Sequence, residues 1–315
     1  MRFSLPIALL GAACLLTANP EPARAQASRT WVSGVGDDVN PCARTAPCKT
    51  FAGAISKTAA FGEINCLDSG GFGAVTITKS ITIDCGETHG SILAGGSNGI
   101  NVNGADILVS IRNLAINGAG GGRAGISFTN GRSLEVHNVK IFGFVAGEAQ
   151  GIRFNPQSGT ALLLVSNSTI TINGIAPSTG GGIGVQTAGG AAEVVIQNTR
   201  IENNSVGVTA VTTSGAIKMT VRESIVATNQ SFGILSTAAG AAINLMVERT
   251  TVSSNLGTGV VSQGASSMVR IDRSIITGNA TGVGTVGGGV LRSYKNSAIN
   301  GNASEGTPIP PEGRN

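Results

Sequence analysis

Aromatic and charged side chains are scarce in this 315-residue sequence, which has one Trp, one Tyr and nine Phe and only 12% charged residues. Proteins that bind single-stranded nucleic acids combine a positively charged groove with aromatic side chains on which the bases stack. The formal net charge here is +4 and the basic residues form no run. The composition therefore predicts no nucleic-acid partner. The shortage of aromatic rings also counts against a sugar-binding groove.

Long hydrophobic runs are absent except for one near the start, from Leu5 to Leu16, which Arg2 precedes. Together with the segment Ala23-Arg24-Ala25, this run predicts a secretory signal peptide over residues 1–25 that is cleaved after Ala25. Lipid attachment at Cys14 is a less favoured alternative. The run is too short for a permanent membrane-spanning helix, so we expect no transmembrane segment after cleavage. The predicted location is secreted or periplasmic.

A helical pattern is absent as well, because 47 glycines and many β-branched residues disfavour helix and no apolar stripe of period 3.6 persists. Instead, six asparagines recur every 23 to 31 residues, each three positions after an aliphatic residue: Asn173, Asn204, Asn229, Asn255, Asn279 and Asn302. A period of this length with a fixed internal pattern predicts a solenoid, in which each repeat is one coil that stacks on its neighbours.

Within each repeat the pattern indicates three short strands. Apolar residues alternate before the aliphatic anchor, as strands require, and a glycine-aliphatic pair such as Gly207-Val208 or Gly233-Ile234 opens the last strand. The prediction is an all-β parallel β-helix of about ten three-strand coils. Stacked asparagines would form a structural ladder of side-chain amides. Because Asn tolerates a left-handed backbone, we expect each of them to occupy the turn itself.

The entry segment TWVSGVGDDVNPCARTAPCKTFAGAI carries a second pattern: a strand, an acidic Asn-Pro turn and a Pro-x-Thr-aromatic start into a short helix. The residues at these positions are Asp37, Asp38, Asn40, Pro41, Pro47, Thr50 and Phe51. With the repeated Asn turns, the segment resembles right-handed parallel β-helix proteins of the pectate-lyase-like superfamily, from about Thr30 to Asn302. Its cysteine-bearing opening is most similar to exported proteobacterial β-helix proteins. The resemblance implies a fold and no particular activity.

The chain divides into four predicted parts, of which the first is the signal peptide. Residues 26–60 form an entry strand and a cap, 61–302 the parallel β-helix, and 303–315 an irregular C-terminal tail. In the segment KTFAGAISKTAA, Phe51 and Ile55 are four residues apart and would share the apolar face of a short helix. We expect this helix to cover the open end of the sheets, which would otherwise invite edge pairing.

Four cysteines remain after removal of the leader: Cys42, Cys48, Cys66 and Cys85. An even number in an exported chain predicts two disulfides, for which three pairings are possible. We favour Cys42–Cys48, which closes the entry turn, and Cys66–Cys85, whose residues lie about one short coil apart and so within disulfide reach. Neither histidine partners nor a C-x-x-C pair accompanies them, so we predict no metal and no cofactor.

Outward positions on the first strand of each coil should form columns of neighbouring side chains. Four residues before the anchor, the column is Arg112, His137, Ser166, Gln197, Arg222, Glu248, Asp272 and Lys295. The next column is Asn113, Asn138, Asn167, Asn198, Glu223, Arg249, Arg273 and Asn296. Most neighbouring charges are opposite, and such exposed pairs contribute about 0–1 kcal/mol each. We interpret these columns as serving register and solubility.

The irregular coils are the best place for a binding site, because longer loops over 142–160 and 173–192 sit on a rigid solenoid. A carboxylate, an imidazole and a guanidinium suffice for acid/base work on an acidic sugar. The catalytic candidates are therefore Arg112, Glu135, His137 and Arg153. The ligand-binding candidates are Phe142, Phe144, Glu148 and Gln150. An ordinary surface hydrogen-bond cluster explains the same residues more simply, so we assign no catalytic residue.

Two functional hypotheses follow. The first is a secreted or periplasmic, non-enzymatic β-helix scaffold that interacts with a glycan or another cell-surface polymer. The second is a polysaccharide-binding or polysaccharide-cleaving protein, a lyase or hydrolase acting on acidic glycans. Glycoside hydrolysis needs two carboxylates at a set separation, and the only adjacent acidic pair, Asp37-Asp38, lies in the entry turn. The sequence therefore favours the scaffold and leaves the oligomeric state open.

Overall fold

The protein is a parallel β-solenoid, seen in a computed structural model that describes residues 26–86, 88–177 and 180–313. Every strand pairing within its two sheets is parallel, which confirms the predicted all-β architecture. The predicted signal peptide, residues 1–25, lies outside the described residues. No helix in the described ranges is long and apolar enough to cross a membrane.

The regular structure of the described residues consists of one short helix, α1 (Phe51–Lys57), and 29 strands. The strands are β1 (Ala27–Val32), β2 (Thr58–Cys66), β3 (Gly70–Gly71), β4 (Val75–Ile77), β5 (Ile81–Asp84), β6 (Gly90–Leu93), β7 (Ile100–Asn103), β8 (Leu108–Asn117), β9 (Ala124–Asn130), β10 (Ser133–Phe142), β11 (Gln150–Phe154), β12 (Thr160–Ser166), β13 (Thr169–Thr171), β14 (Gly181–Thr187), β15 (Ala191–Gln197), β16 (Arg200–Glu202), β17 (Val206–Thr212), β18 (Ile217–Arg222), β19 (Ile225–Ala227), β20 (Ile234–Ala238), β21 (Ile243–Glu248), β22 (Thr251–Ser253), β23 (Thr258–Gln263), β24 (Ser267–Asp272), β25 (Ile275–Thr277), β26 (Thr281–Val286), β27 (Val290–Ser293), β28 (Ala298–Ile299) and β29 (Ser304–Gly306).

Each coil places its strands on three faces of the solenoid. Face 1 holds β2, β5, the first halves of β8 and β10, and then β12, β15, β18, β21, β24 and β27. Face 2 holds β3, β6, the second halves of β8 and β10, and then β13, β16, β19, β22, β25 and β28. Face 3 is a separate ten-stranded sheet from β4 to β29, in agreement with the predicted coil number.

Inward side chains from all three faces form one hydrophobic core that runs from Val32 to Leu291. At the N-terminal end, Phe51 of α1 is fully buried with its ring centroid 5.3 Å from that of Phe72, and Ile55 packs against the same core. These contacts confirm the predicted capping helix. Strand β2 begins at Thr58 directly after it, so the first coil starts slightly earlier than the predicted boundary at residue 61.

The asparagine ladder is present and buried. Asn204 Nδ2 donates to Asn229 Oδ1 at 3.2 Å, and Asn229 Nδ2 donates to Asn255 Oδ1 at 2.9 Å. The same bond links Asn173 to Asn204, Asn255 to Asn279 and Asn279 to Asn302. Each acceptor oxygen also receives a backbone N–H from the preceding coil, as in Asn204 N to Asn229 Oδ1 at 3.0 Å. The ladder therefore satisfies main-chain donors at a corner where strand pairing stops.

The left-handed backbone at this corner lies one residue earlier than predicted. Ile172, Asn203, Thr228 and Ser254 have φ angles of 57°, 56°, 53° and 55°, whereas the ladder asparagines that follow them do not have positive φ. The chain turns at the preceding residue, and the Asn side chain is thereby directed into the solenoid. The expectation that Asn itself adopts the left-handed conformation was wrong.

A second ladder, made of small hydroxyl groups, satisfies backbone N–H groups at the corner between faces 1 and 2. Thr199 N donates to Ser224 Oγ at 3.2 Å and Thr250 N donates to Ser274 Oγ at 3.2 Å, each to a residue of the next coil. Thr199, Ser224, Thr250 and Ser274 are all buried. Buried backbone N–H groups require partners, which explains why a hydroxyl recurs two residues before each anchor.

Glycine is required where the ladder meets face 3. A Cβ atom on Gly207 would lie 2.5 Å from Gly233 O and 2.9 Å from Asn229 Nδ2. No L side chain fits these distances without movement of the backbone or of the ladder. The repeated glycine-aliphatic pair is thus a steric consequence of the asparagine ladder.

Both predicted disulfides are confirmed, with Cα–Cα distances of 4.6 Å for Cys42–Cys48 and 4.5 Å for Cys66–Cys85. The first closes the entry turn, where Trp31 N donates to Cys42 O at 2.8 Å. The second joins the ends of β2 and β5, which are adjacent on face 1. The covalent links therefore lie at the N-terminal end of the solenoid.

The C-terminal tail is more ordered than predicted. Residues Ser304–Gly306 form β29, which pairs with β26 and extends face 3 beyond residue 302. Pro311 then bridges to Ser293, Ile309 packs against the core, and Glu312 lies 3.6 Å from both Arg270 and Arg292. The prediction of an irregular segment over 303–315 was wrong for this part, because the last coil exposes an edge and apolar side chains that the tail covers.

Replacement of a ladder asparagine is expected to destabilise the fold. Asn229→Ala strands the buried partners of one amide, so we expect the free energy of unfolding to fall by about 1–3 kcal/mol. Chemical denaturation measures this free energy of unfolding. The matched control is Asn103→Ala, because Asn103 is exposed although its Oδ1 accepts from Asn130 Nδ2 at 2.7 Å. Equal stability of Asn229→Ala and the parent would contradict the buried ladder.

A pH-dependent contribution is expected at the cap. Asp38 Oδ1 accepts from the backbone N–H of Lys49 at 2.8 Å and of Thr50 at 2.9 Å, and Thr50 Oγ1 donates to Asp38 Oδ2 at 2.7 Å. Burial acts to raise the pKa of Asp38, but the hydrogen bonds from Thr50 and Lys49 and the charge of Lys57 outweigh it, so the pKa lies below its ordinary 3.8. Because the folded-state pKa is depressed, this stabilisation is present above pH 3.8 and is lost as the pH falls through the folded value.

Asp38→Asn should therefore lower the melting temperature at pH 7, and the difference from the parent should shrink below pH 3.8, the ordinary value. Thermal melts across this range measure the effect. Asp106→Asn removes one carboxylate at an exposed position away from the cap and serves as the control. A difference that stays constant across this range of pH would show that the charge of Asp38 does not stabilise the cap.

Reduction of the disulfides should loosen the N-terminal coils first. An end coil has a neighbour on one side only, and closing a loop of about 20 residues contributes roughly 3 kcal/mol in the chain-entropy model. We expect hydrogen exchange after reduction to rise in β2 and β5 before it rises in β18 and β21. A Cys66→Ser/Cys85→Ser variant should reproduce the pattern without reductant. Uniform loss of protection along the chain would argue against local stabilisation.

Candidate functional site

The sequence-predicted cluster of Arg112, Glu135 and His137 lies on face 1, where β8 and β10 are adjacent. His137 is paired in register with Arg112, and Glu135 with Ser110. Because all four side chains belong to alternating outward positions of these strands, the solenoid places them side by side. The structure therefore brings three of the four catalytic candidates together.

Within the cluster, the charges are already paired. Arg112 Nη2 lies 2.9 Å from Glu135 Oε2, and Ser110 Oγ donates to the same oxygen at 3.1 Å. Arg112 Nε donates to Ser110 Oγ at 2.9 Å, so Ser110 bonds to both members of the ion pair. The carboxylate of Glu135 and the guanidinium of Arg112 are thus occupied with each other.

His137 forms its hydrogen bonds with the following coil. Its Nδ1 lies 2.9 Å from Ser166 Oγ and 3.4 Å from Asn167 Nδ2. Ser166 is 3% exposed, so the imidazole covers this hydroxyl. A half-buried imidazole beside a hydroxyl can accept or donate a proton, but Glu135, the acidic member of the cluster, bonds to Arg112 and Ser110 and not to the ring.

The fourth catalytic candidate, Arg153, is not part of the cluster. It is exposed on β11 of face 3, where it pairs in register with Ser127 and Gly184. The sequence placed it near His137 because the two are close along the chain. The corners between them carry the chain from face 1 to face 3, so the grouping of Arg153 with His137 was wrong.

The ligand-binding candidates are also distributed over different surfaces. Phe142 ends β10 on face 2, half-buried, with Lys140 Nζ 5.1 Å from its ring centroid. Glu148 is exposed in the loop that leads to β11. Gln150 begins β11 on face 3, and its Oε1 is buried without a hydrogen-bond partner among the described residues. These three residues do not line one groove.

Phe144 cannot contact a ligand in this structure, because its side chain is fully buried. It occupies the position that Asn173 takes in the next coil, three residues after the anchor, and its backbone N–H donates to Asn173 Oδ1 at 3.3 Å. This position points into the solenoid, so a large aromatic ring there fills the core at the start of the ladder. Its assignment to a binding surface was wrong.

Sequence reasoning missed two carboxylates that extend the cluster toward the N-terminus. Asp84 pairs in register with Arg112, and Glu63 lies in the same column as Glu135, three coils away through Thr82 and Ser110. Asp84 follows Ile83 as Arg112 follows Ile111, so the alternation in β5 could have identified it. The short coils before residue 100 lack the asparagine marker, and this hid their register.

Asp84 is itself engaged with neighbouring groups. Its Oδ1 accepts from Asn113 Nδ2 at 2.7 Å and from Gly86 N at 2.7 Å. Asn138 Nδ2 in turn donates to Asn113 Oδ1 at 2.6 Å. These bonds form a surface ladder along the corner between faces 1 and 2.

The outward columns continue toward the C-terminus as predicted up to Asp272. The last position differs, because Ile271 pairs with Ser293, which leaves Tyr294 in the place assigned to Lys295. Lys295 instead has a φ of 58°, and so occupies the left-handed corner assigned to Asn296. One additional residue at this corner shifts the register of the final coil.

An exposed network links the charges of the last coils. Arg249 lies 2.8 Å from Glu223 and 2.6 Å from Glu248, and Arg273 lies 2.6 Å from Glu248 and 2.9 Å from Asp272. The predicted pair of Glu223 and Arg249 is therefore confirmed. Glu248 is the neighbour of Arg222 in the next coil. The Nε of Arg222 donates instead to Gln197 Oε1 of the preceding coil, at 3.1 Å. The network neutralises its members in pairs and leaves no cluster of like charge.

Comparison with known proteins agrees with this architecture. Residues 63–304 match the family described as the right handed beta helix region. The chain belongs to this family. Among solved structures it is similar to the crystal structure of pectate lyase Pel9A, with 15% sequence identity, a TM-score of 0.66, and coverage of 92% of this chain and 79% of that chain. At this identity the likeness shows the fold. No curated protein matches the sequence.

A metal centre has no evident place in the described part of this right-handed β-helix. No group of three or more His, Cys, Asp or Glu side chains there is arranged to hold a metal ion. Cys42 is joined to Cys48 and Cys66 to Cys85 in disulfides, and Asp84 and Glu135 lie on different coils with separate hydrogen-bond partners.

One aromatic side chain is accessible at the N-terminal end. Trp31 is half-buried and lines a cavity at the N-terminal end, together with Arg29, Val39, Asn40 and Pro41. Arg29 lies 3.3 Å from Glu63 with more than half of its side chain exposed. A flat ring beside polar groups is a surface on which a sugar ring can stack.

Proposed function

We propose that this right-handed β-helix is a non-enzymatic scaffold that acts through interactions of its outer faces. The observation that carries the proposal is that the charged groups of the candidate site already have hydrogen-bond partners within the fold. Arg112 bonds to Glu135, and Asp84 bonds to Asn113 and Gly86 N. A catalytic site needs groups that are directed at a substrate, whereas these groups are directed at one another.

The two reactions expected on this fold both need more than the cluster supplies. Hydrolysis requires two carboxylates on opposite sides of the bond that is cleaved. Glu135 instead stands in a column between Ser110 and Leu164. Elimination from a sugar acid requires a base and a cationic group that neutralises the substrate carboxylate. His137 could act as the base, but the nearest guanidinium, Arg112, is neutralised by Glu135.

We place the protein outside the cytoplasm. Two disulfides are compatible with an extracellular or periplasmic location, since disulfides persist in oxidising compartments. The predicted leader over residues 1–25 supports the same location. A scaffold exposed there would contact glycans and other cell-surface polymers.

The second candidate function is binding or cleavage of an acidic polysaccharide. Cleavage is supported by the position of Glu135, His137 and Arg112 on one face and by the similarity to the fold of a pectate lyase. Binding without cleavage is supported by the cavity at Trp31, where an indole ring adjoins Arg29 and Asn40. Ring stacking and hydrogen bonds are the usual means of holding a sugar in a pocket.

A combined turnover and binding experiment separates the two functions. The purified chain would be incubated with pectate, alginate and chondroitin, with and without Ca²⁺, and unsaturated products measured by ultraviolet absorbance and reducing ends by a colorimetric assay. The scaffold proposal expects no product. Turnover that His137→Ala or Glu135→Gln abolishes and Arg153→Ala preserves would replace it with the polysaccharide-cleaving function.

Binding would be measured in parallel on a glycan array. Retention of an acidic glycan by the parent and by Arg153→Ala, but not by Trp31→Ala, would identify the cavity at Trp31 as a glycan site without catalysis. Arg153 is a suitable control because it is an exposed cation on face 3, remote in the fold from both candidate sites.

A further inference from the structure

The middle of face 1 carries an exposed apolar patch. Its outward side chains are Leu162 and Leu164 on β12, Val195 on β15, Thr220 on β18 and Met246 on β21. Leu162 is 43% exposed, and the others are half-buried. A sheet face in water normally alternates apolar inward with polar outward residues. Three of the four coils from β12 to β21 depart from that rule, and Thr220 on β18 is the polar exception. This departure marks a contact surface.

Charges surround the patch in an ordered way. In the column of Leu164, Glu135 lies on the N-terminal side, while Arg270 and Arg292 lie on the C-terminal side. Arg270 and Arg292 share one carboxylate, Glu312, at 3.6 Å each. In the neighbouring column, Glu193 and Lys218 are paired at 3.1 Å beside the centre of the patch. One end of the column therefore carries a carboxylate, which also bonds to Arg112 of the adjacent column, and the other end carries two guanidinium groups that share one carboxylate.

We propose that this patch binds a second copy of the chain, related by a two-fold axis that runs parallel to the strands between β15 and β18. The proposal deepens the scaffold function, because it names a partner for one outer face. A rotation about this axis keeps each column opposite itself and reverses the order of the coils. Leu164 then faces Met246 of the second copy, and Val195 faces Thr220 of the second copy.

The same rotation makes the surrounding charges complementary. Glu135 faces Arg270 of the second copy, Glu193 faces Lys218 of the second copy, and each contact occurs twice. These positions follow from the register, in which two coil steps separate Glu135 from Val195 and two separate Thr220 from Arg270. Opposite potentials that meet across an interface favour one register over others.

The other symmetric arrangement is disfavoured by the same residues. A two-fold axis parallel to the solenoid and centred on the column of Leu164 would keep each coil opposite itself, so that Glu135 would face Glu135 and Arg270 would face Arg270. Like charges in direct opposition destabilise an interface. The distribution of charge thus selects the antiparallel arrangement.

The size of the surface indicates reversible association. Eight strands of face 1, from β8 to β27, stacked at about 4.8 Å, give a length of roughly 35 Å. With three outward columns, the area is roughly 500 Å² per copy, at the low end for a specific interface. We therefore expect a dissociation constant in the micromolar range, on the order of 1–100 μM.

Sedimentation velocity of the full chain over a concentration series tests the association. We expect a monomer–dimer equilibrium that Met246→Glu weakens by at least about tenfold, because a charge would be desolvated at the centre of the patch. The matched control is Ile275→Glu, since Ile275 is an outward apolar residue on face 2 and 48% exposed. It should leave the dissociation constant unchanged. Thermal melts would confirm that both variants fold.

Charge reversal tests the axis. Glu135→Arg alone and Arg270→Glu alone should each weaken the dimer, because like charges would then face each other, and the double variant should restore it. An axis parallel to the solenoid would give no restoration, since each position would still face its own copy.

A monomer at all accessible concentrations, or a dimer insensitive to Met246→Glu, would overturn the proposal. So would a patch that binds a glycan in a manner abolished by Met246→Glu while the chain stays monomeric. The result is independent of the turnover assay. An inactive monomer would refute the dimer and leave the scaffold function standing. A dimer that cleaves a polysaccharide would support the interface and refute the non-enzymatic scaffold.

Discussion

The fold depends on one constraint, which is that a chain wound into stacked coils must satisfy its backbone donors at every corner. Strand pairing serves the three faces, but it stops wherever the chain turns. At one corner the Oδ1 atoms of asparagines accept the stranded N–H groups, and at another the hydroxyls of Ser and Thr do so. Buried N–H groups without partners are costly. The regular spacing of these residues in the sequence marks the positions of the corners.

Much of the architecture was predictable because each coil repeats the same requirements. The asparagines, the hydroxyls and the glycine-aliphatic pairs all mark corners, so their period gave the coil number and the ladder. Cys66 and Cys85 were paired correctly for the same reason, since stacked coils bring them together. The exact turn residue was misplaced, because the tolerance of Asn for a left-handed backbone was applied to the ladder residue, whereas the preceding residue, such as Ile172 or Thr228, adopts that conformation.

The candidate site was less predictable, because nearness along the chain differs from nearness across coils. Glu135, His137 and Arg112 were grouped correctly through strand register, whereas Arg153 was grouped by sequence distance and lies on face 3. Phe144 was placed in the longer loop over 142–160 as a ligand-binding candidate, yet it occupies the inward ladder position. Where a repeat keeps its pattern, register assigns a side chain to a face. Where the pattern breaks, the number of residues at the corner decides which face a side chain reaches, and the sequence alone does not give that number.

The direction of the ladder bonds has an electrostatic consequence. Every amide nitrogen from Asn173 to Asn279 donates toward the C-terminal neighbour, so the side-chain dipoles all point the same way along the solenoid. Aligned dipoles leave a partial positive charge at the end of the row, much as a helix does at its N-terminus. Asn302 Nδ2 stands at that end and donates to Glu305 Oε2 at 2.7 Å. The row of amides thus terminates on a carboxylate, which balances its polarity and supplies the acceptor that a further coil would have provided.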